Sequence, residues 1–299
     1  MVKVDVYIPH YFREEGEESG YGSARPGARL QRSIALSRCL SGLINLERRR
    51  QDCTINISRK SIDLFPAKSE DEIQIRITVC TDGHNRIDEV LQHYRETVRV
   101  IDIQLENPRL LALRTRDQLI NRPSDADFFI YMEDDLVIND PLYIDKIVWF
   151  YQRTNHGICL MPHRYELINS RELGRTLIDG DLRDSFIRQY YQPAVNAAQG
   201  QFRGTEPVQF DIPSNPHSGT FILSRSQATV LGSQSLPEEG FIGPLETAAT
   251  LTVMQYYPVM KTSYPCRGFF AVEHGHPSFR HYTKVFPRTN WSSQSDQSG

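Results

Sequence analysis

Long apolar runs are missing from this sequence. No stretch approaches the roughly 20 consecutive apolar residues that a membrane-spanning helix requires, and the opening MVKVDVYI lacks the basic and apolar regions of a signal peptide. Cysteine is scarce, odd in number and without a CxxC motif, which favours reduced thiols in a cytoplasmic protein over a disulfide framework or a zinc site. The five residues are Cys39, Cys53, Cys80, Cys159 and Cys266.

The sequence also lacks an excess of positive charge. Its formal net charge is -3, with 39% hydrophobic and 24% charged residues, which is typical of a globular protein. This composition argues against general nucleic-acid binding, which needs a clear basic excess. The basic run at 48–50 continues a predicted helix, and this favours a solvated helix end over a phosphate or membrane patch. The glycine-rich loop at 14–28 contains neither GxGxxG nor GxxxxGK[ST], which argues against a dinucleotide fold or a P-loop.

Strand-like and helix-like patterns alternate through the first half of the chain. This alternation predicts an α/β fold with a mostly parallel central sheet flanked by helices, followed by a more irregular C-terminal half. We expect a single domain over 1–290, with halves at 1–155 and 156–290 and a disordered tail at 291–299. The predicted strands lie at 4–8, 73–80, 98–105, 128–133, 157–161, 219–224 and 268–272, and the helices at 29–49, 87–97, 109–121, 140–153, 182–192, 227–231 and 245–256.

Three consecutive acids, Glu133, Asp134 and Asp135, follow a run of strand-forming residues at 128–132. Side chains alternate along a strand, so we expect Glu133 and Asp135 on one side and Asp134 on the other. Adjacent carboxylates repel one another, and a divalent metal that carries ligand phosphates would relieve the repulsion. Mg²⁺ or Mn²⁺ is favoured because no Cys or His lies alongside. The alternative is a solvated turn or a helix cap, although Asp140 before Pro141 is better placed to cap the next helix.

The segment YMEDDL at 131–136, placed after several βα units, resembles the DxD-type motif of GT-A fold glycosyltransferases. Its Glu-Asp-Asp form is similar to N-acetylglucosaminyltransferase I-type enzymes, and the resemblance covers roughly residues 2–155. It implies a GT-A-like domain whose first half binds the nucleotide-sugar and whose second half binds the acceptor. Asp135 would be the metal ligand with Glu133 as its helper, while Glu133 and Asp134 would contact ribose, metal-bound water or donor sugar.

The same resemblance implies donor-binding residues at other strand ends. An acid after an early strand commonly contacts the nucleoside, and the end of the first strand contacts the base or phosphate. A helix before the motif often carries a basic residue to the diphosphate. Each position has a plain structural alternative: an Asp-Gly turn, packing at a strand end, or solvated helix charges. The residues concerned are Asp82, His10, Tyr11, Arg13, Arg109 and Arg116.

Near the C-terminus, Glu273-His274-Gly275-His276 follows a predicted strand. GT-A enzymes often take a further metal ligand from this region, and His274 is preferred here, with His276 and then His281 behind it. The alternative is an ordinary hydrogen-bonded histidine.

An inverting transfer needs a base that takes a proton from the acceptor hydroxyl. Glu246, in the first turn of a helix begun by Pro244, is our first choice, although an acid there also favours the helix dipole. Glu239, Glu238 and Asp211 follow. The segment at 215–221 would form the floor under donor sugar and acceptor, or simply lead into a strand.

These patterns predict a metal-dependent transfer of sugar from a nucleotide-diphospho-sugar, most simply a UDP-sugar, to a carbohydrate or other hydroxyl acceptor. Two alternatives stay open. A sugar-phosphate nucleotidyltransferase shares a similar sheet and metal, and the loop does carry Arg25 and Arg29. A non-catalytic nucleotide-sugar-binding module would bind the donor without turnover.

Overall fold

The computed structural model describes residues 1–14, 27–66, 72–168 and 173–289. Five strands form a central sheet in the order β13-β6-β1-β4-β5. Strands β6, β1, β4 and β5 run parallel, and β13 pairs antiparallel with β6. These strands span Val2–Pro9 (β1), Ile73–Thr81 (β4), Val98–Asp102 (β5), Phe128–Met132 (β6) and Thr220–Ser224 (β13).

Both faces of this sheet are covered, because alternate strand residues enter two different cores. On one face Val4, Val6 and Ile8 pack with Leu36 and Leu40 of the first helix. The other face carries Tyr7, Phe129 and Tyr131, which pack with leucines of a later helix. The helices around the sheet are α1 (Arg29–Ile44), α2 (Asp88–His93), α3 (Leu111–Asn121), α4 (Tyr143–Arg153) and α6 (Arg225–Gly232). The predicted α/β fold with a mostly parallel sheet is confirmed.

The rest of the described chain forms smaller sheets and short helices. One four-stranded sheet has the order β10-β9-β15-β7, another the order β11-β12-β14-β8, and β2 pairs only with β3. The strands span Gln51–Asn56 (β2), Ser61–Pro66 (β3), Leu136–Val137 (β7), Cys159–Leu160 (β8), His163–Leu167 (β9), Arg175–Leu177 (β10), Ala194–Gly200 (β11), Val208–Ile212 (β12), Val259–Thr262 (β14) and Ala271–His274 (β15). The helices are α5 (Asp184–Ile187), α7 (Pro244–Glu246), a π-helical turn (Thr247–Leu251), α8 (Thr252–Met254) and α9 (Tyr282–Val285). Short 3₁₀ turns lie at Pro108–Leu110 and Tyr264–Cys266.

Several predicted bounds were wrong. Helix α1 ends at Ile44 rather than near residue 49, because Arg48 has left the helix and exchanges backbone hydrogen bonds with Ile73. The helix predicted at 182–192 is only the four-residue α5, and the one at 245–256 contains the π-helical turn. The hairpin β2–β3 and the strands β9 to β12 had not been predicted.

The predicted tail at 291–299 and most of the glycine-rich loop at 14–28 lie outside the described residues. Within the described parts, no helix has the length and apolarity needed to cross a membrane.

Candidate functional site

The chain reverses its order of strand addition between β1 and β6. From β1 it crosses by α1 to β4 on one side, and after β5 it returns by α3 to β6 on the other side. Helices α1 and α3 cover opposite faces, so the carboxyl ends of β1 and β6 form the topological switch point of the sheet. In open α/β sheets this switch point is where ligands bind. His10 follows β1 here, and the acidic triplet at 133–135 follows β6.

The triplet is held where β6 meets the start of β13. The Glu133 N–H donates to the carbonyl oxygen of Gly219 at 2.9 Å, and the Leu136 N–H donates to that of Glu133 at 3.2 Å. Gly219 has a φ of +62°, and a Cβ there would lie 2.5 Å from Glu133 Oε2. A residue with a side chain at 219 would therefore displace the Glu133 carboxylate.

Buried arginines compensate the acids. Arg32 of α1 donates from Nη2 to Asp134 Oδ1 at 2.5 Å and from Nη1 to Asp135 Oδ2 at 3.0 Å. Arg164 of β9 lies 3.5 Å from Glu133 Oε2. Burial alone would raise the pKa of Asp134, but Arg32 and a hydrogen bond from His10 hold it below its usual value.

Glu133 behaves differently from its neighbours. Burial raises the pKa of Glu133 to about 7, although Arg164 opposes the shift, and the charges of Asp135 and Glu246 add to it. The triplet therefore combines two strongly paired carboxylates with a third that holds its proton more readily.

His10 is a wholly buried support for Asp134. The Ile87 N–H donates to His10 Nε2 at 3.0 Å, so the ring proton lies on Nδ1, which donates to Asp134 Oδ2 at 2.6 Å. In the structure His10 orients the Asp134 carboxylate. Its predicted contact with the nucleotide base or phosphate stays a prediction.

His274 lies beside Asp135 because β15 pairs antiparallel with β7. Its Nδ1 donates to Glu166 Oε1 at 2.8 Å, and its Nε2 lies 3.5 Å from Asp135 Oδ2. Burial would lower the pKa of His274, but Asp135 and the hydrogen bond to Glu166 together outweigh it and raise that pKa to about 9. Glu166 also accepts from the backbone N–H groups of Ser278 and Phe279, so the ring is firmly oriented.

We tested whether these residues fit a divalent ion. Two ligand atoms on one ion, each about 2.1 Å from it, lie about 3 Å or slightly more apart, and the 3.5 Å between Asp135 Oδ2 and His274 Nε2 is close to this. Glu166 supplies the carboxylate that commonly backs a metal-binding histidine. Across the described ranges no group of three or more His, Cys, Asp or Glu is arranged to hold a metal. Asp135 and His274 thus fit an ion that would displace the Nε2 proton of His274 and take its other ligands from phosphate and water.

The other predicted metal residues flank this pair. His276 is mostly buried. Burial and the charge of Arg32 lower the pKa of His276, whereas the charges of Asp135 and Asp134 raise it. His276 therefore lies within electrostatic range of the same two acids. His281 is exposed and contacts the carbonyl oxygen of Ser278. At Gly275 the backbone comes close to the triplet, since the Gly275 N–H donates to the Asp135 carbonyl oxygen at 2.6 Å.

The predicted donor-binding residues are not all gathered at the triplet. Asp82 accepts from the backbone N–H groups of His84 and Asn85 and from the Asn85 side chain, so it closes a turn at the end of β4. Tyr11 is half-buried, and Arg13 and Arg109 are exposed.

Arg116 does not lie on a solvated helix face. It is fully buried, and it donates to the Pro237 carbonyl oxygen and the Thr252 hydroxyl. These contacts join α3 to the loop before α7 and to α8, so Arg116 holds elements of the fold together. Its predicted role at a diphosphate stays a prediction.

Among the predicted bases, Glu246 is the one that the structure brings towards the triplet. It is half-buried, and its charge contributes to the raised pKa of Glu133. Glu239 is exposed, and Glu238 is held by both terminal nitrogens of Arg114 at 2.9 and 2.8 Å. Asp211 accepts from the backbone N–H of Asn196 on the neighbouring strand β11.

A buried charged network supports the segment at 215–221. Arg164 binds Asp179 through Nε and Nη2, and Lys261 Nζ lies 3.8 Å from Asp179 Oδ2. Lys261 also donates to the His217 carbonyl oxygen at 2.5 Å, two residues before Gly219. Burial lowers the pKa of Lys261 to about 8. The network therefore connects the backbone beside Glu133 to β9 and β14.

Sequence reasoning missed Arg32, Arg164 and Glu166. Arg32 carried a usable signal, because it shares one face of α1 with Leu36, Leu40 and Leu43, and a charge on an apolar helix face needs a buried partner. Arg164 and Glu166 lie in a short strand that the sequence pattern does not mark.

Comparisons with known proteins give distant structural matches. No family model matches the chain, and no curated protein matches it. The solved structures include S. aureus TarS 1–349, 13% identical, covering 91% of this chain and 60% of that one, with a TM-score of 0.42. S. aureus TarS is 12% identical, covering 91% of this chain and 36% of that one, with a TM-score of 0.42. TarS 1–349 in complex with UDP-GlcNAc is 10% identical, covering 93% of this chain and 61% of that one, with a TM-score of 0.39. The chain thus spans less than two thirds of each, and likeness at this level does not bear on function.

Proposed function

We propose that this chain is a metal-dependent glycosyltransferase that moves a sugar from a nucleotide-diphospho-sugar, most simply a UDP-sugar, to an acceptor hydroxyl. The observation that carries the proposal is the acidic triplet at the sheet's switch point, with Asp135 Oδ2 3.5 Å from His274 Nε2. The resemblance of YMEDDL to the DxD-type motif points to the same chemistry.

Asp135 and His274 would hold Mg²⁺ or Mn²⁺, with Glu166 fixing the histidine through Nδ1. The ion would act as a Lewis acid that offsets charge on the departing diphosphate. Asp134 has a different task in this proposal, because His10 and Arg32 occupy both its oxygens and keep it in place. Arg32 adds a fixed positive charge at the edge where the diphosphate would lie.

Glu246 is the proposed base. It would accept the proton of the acceptor hydroxyl as that oxygen attacks the anomeric carbon, and the bond from that carbon to the diphosphate breaks. We expect Glu246→Gln to lower kcat by about 10²–10⁴-fold with little change in donor affinity. The exposed Glu239→Gln is the matched control, and equal losses in both variants would exclude Glu246 as the base.

The central test is Asp135→Asn in the full chain. We expect loss of donor hydrolysis and transfer, and loss of Mn²⁺-dependent stabilisation by UDP-sugars in a thermal-shift screen, while circular dichroism stays unchanged. Asp125→Asn, an exposed acid at the other end of the sheet, is the control. Full activity in Asp135→Asn or in EDTA would contradict the proposal.

Two further assays separate the alternatives. A nucleotidyltransferase would release pyrophosphate from a nucleoside triphosphate and a sugar phosphate. A non-catalytic module would bind a nucleotide-sugar in calorimetry without turnover over hours. Either result would replace transfer as the function.

A further inference from the structure

The helical segment that carries Glu246 is irregular. It begins as the single turn α7 and continues as the π-helical turn Thr247–Leu251, where the Thr252 N–H donates to the Thr247 carbonyl oxygen five positions back. π-helical turns are rare, and they occur frequently at functional sites. The irregularity directly follows the proposed base, so we asked what holds this segment in place.

The Glu246 carboxylate lies against the loop before the helix. A Cβ on Gly243 would lie 2.9 Å from Glu246 Oε2, so the missing side chain leaves the space that the carboxylate fills. The Thr247 N–H donates to the Gly243 carbonyl oxygen at 2.8 Å, and the Thr247 hydroxyl bonds to the backbone of Phe241. Loop and helix are therefore bonded to each other, and the place of the carboxylate follows that of the helix.

One buried hydrogen bond joins this helix to the segment at 215–221. His217 Nδ1 and the Thr250 hydroxyl are 2.9 Å apart, and both side chains are buried. Burial, together with the charge of Arg164, lowers the pKa of His217 to about 3, so the ring is neutral at pH 7. Thr250 lies four positions after Glu246, and the bond therefore holds the helix about one turn from the carboxylate.

His217 is held in turn from the side of the acidic triplet. Its carbonyl oxygen accepts from Lys261 Nζ at 2.5 Å. Two residues later, the Gly219 carbonyl oxygen accepts from the Glu133 N–H at 2.9 Å. His217 therefore lies two residues from the backbone contact of the triplet and one hydrogen bond from the helix that carries Glu246.

We propose that His217 and Thr250 are positioning residues that set the place of Glu246 relative to the acidic triplet. The inference rests on the proposed function, because it takes Glu246 as the base. In that reaction the carboxylate must reach the acceptor hydroxyl while the donor sugar is held at the triplet. A displacement of about 1 Å can cost about a hundredfold in rate, so the link between the two sides matters for the reaction.

The test is Thr250→Val, which keeps the shape of the side chain and removes its hydroxyl. We expect kcat for transfer to fall about tenfold or more, with donor KM and the affinity for UDP and Mn²⁺ in calorimetry unchanged. Thr250→Ser keeps the hydroxyl and should restore kcat. The matched control is Thr252→Val, because the Thr252 hydroxyl is equally buried in the same helical segment but donates to the Thr247 carbonyl oxygen. Its kcat should stay near that of the wild type.

A double variant shows whether the effect runs through Glu246. Once Glu246→Gln has removed the base, adding Thr250→Val should lower kcat no further. The proposal is overturned if the two losses multiply, if Thr250→Val and Thr252→Val lose the same activity, or if folded Thr250→Val keeps the wild-type kcat.

Melting curves show whether each variant is folded, and Thr250→Ala repeats the test with a smaller side chain if the valine does not pack. A wild type that transfers sugar and loses transfer in Glu246→Gln, but not in Thr250→Val, overturns this inference alone. A wild type without transfer overturns the proposed function and this inference with it.

Discussion

The two halves of the chain keep their charges in different places. Around the central sheet the interior is mainly apolar, with Arg116 as a buried exception, and charged groups gather at its carboxyl edge, where Arg32 meets Asp134 and Asp135. Between β9 and β14, by contrast, Arg164, Asp179 and Lys261 are buried together. The first half is thus held mainly by apolar burial, while the second depends on complete pairing of buried charges.

The largest effect should come from unpairing the buried network. Asp179→Asn leaves Arg164 and Lys261 without their shared carboxylate, so we expect the free energy of unfolding to fall by about 3–5 kcal/mol. Urea unfolding measures it. The control is Asp125→Asn, because Asp125 pairs with Lys3 and Arg76 at the surface, where solvent screens the pairs, so this variant should lose far less stability. Similar losses in the two variants would remove the contrast between the halves.

Arg32→Met tests whether an added cation can reach the carboxylates at the carboxyl edge of the sheet, which we do not expect for the buried network around Asp179. Loss of Arg32 leaves Asp134 and Asp135 uncompensated, and we expect a loss of about 3 kcal/mol. Mn²⁺ should restore part of it, about 2–3 kcal/mol at a hundred times the dissociation constant. The control is Arg38→Met on the same helix, since Arg38 pairs with Glu273 away from the triplet.

Stability in Mn²⁺ is measured for Arg32→Met, Arg38→Met and Asp179→Asn. Recovery in Arg32→Met alone would match the proposed ion site. No recovery, or recovery in all three, would count against it.

Acid should weaken the second half through His163. Burial lowers the pKa of His163 to about 4, below its ordinary value of 6.5. Between pH 4 and pH 6.5, His163 is therefore protonated in the unfolded chain but neutral in the folded chain. The stabilisation is present above pH 6.5 and is lost as the pH falls towards 4, by about 2 kcal/mol between pH 7 and pH 5. Denaturant unfolding of His163→Phe should show a shallower loss over this interval. His93→Phe, on an exposed histidine, should keep the wild-type slope, and equal slopes in both variants would contradict the assignment.

The contrast between the halves also explains what the sequence could predict. Strand β6 was predictable because a parallel strand buried on both faces is continuously apolar, as in residues 128–132. Strands β1, β4 and β5 were predictable because apolar residues alternate with polar ones over much of their length. The triplet was predictable because three acids directly follow such a run. These features depend on neighbours in sequence, and so a pattern detects them.

The partners of the triplet could not be predicted in the same way. Arg32 on α1 lies 102 and 103 positions before the acids that it binds, and Arg164 on β9 lies 31 positions after Glu133. No local pattern encodes such pairings. The sequence suggested a metal as the remedy for repulsion, whereas the structure adds two arginines that neutralise part of the charge before any ion binds. Strand β9 of the second half is short and buries charged side chains, so its pattern lacks the alternation that marks a half-buried strand.

The smallest expected effect comes from a substitution at Gly219, which tests whether the position of the Glu133 carboxylate matters for the reaction. Gly219→Ala and Gly204→Ala both place a side chain at positive φ, +62° and +74°, which costs about 1 kcal/mol or slightly more. Only at Gly219 would the new Cβ meet a carboxylate, 2.5 Å from Glu133 Oε2, whereas nothing lies within 4 Å of a Cβ at Gly204. We therefore expect similar small losses of stability but a fall in kcat/KM, about tenfold to a hundredfold, in Gly219→Ala alone. Equal activity in the two variants would mean that the position of Glu133 does not matter for the reaction, and that the contact between the halves is only structural.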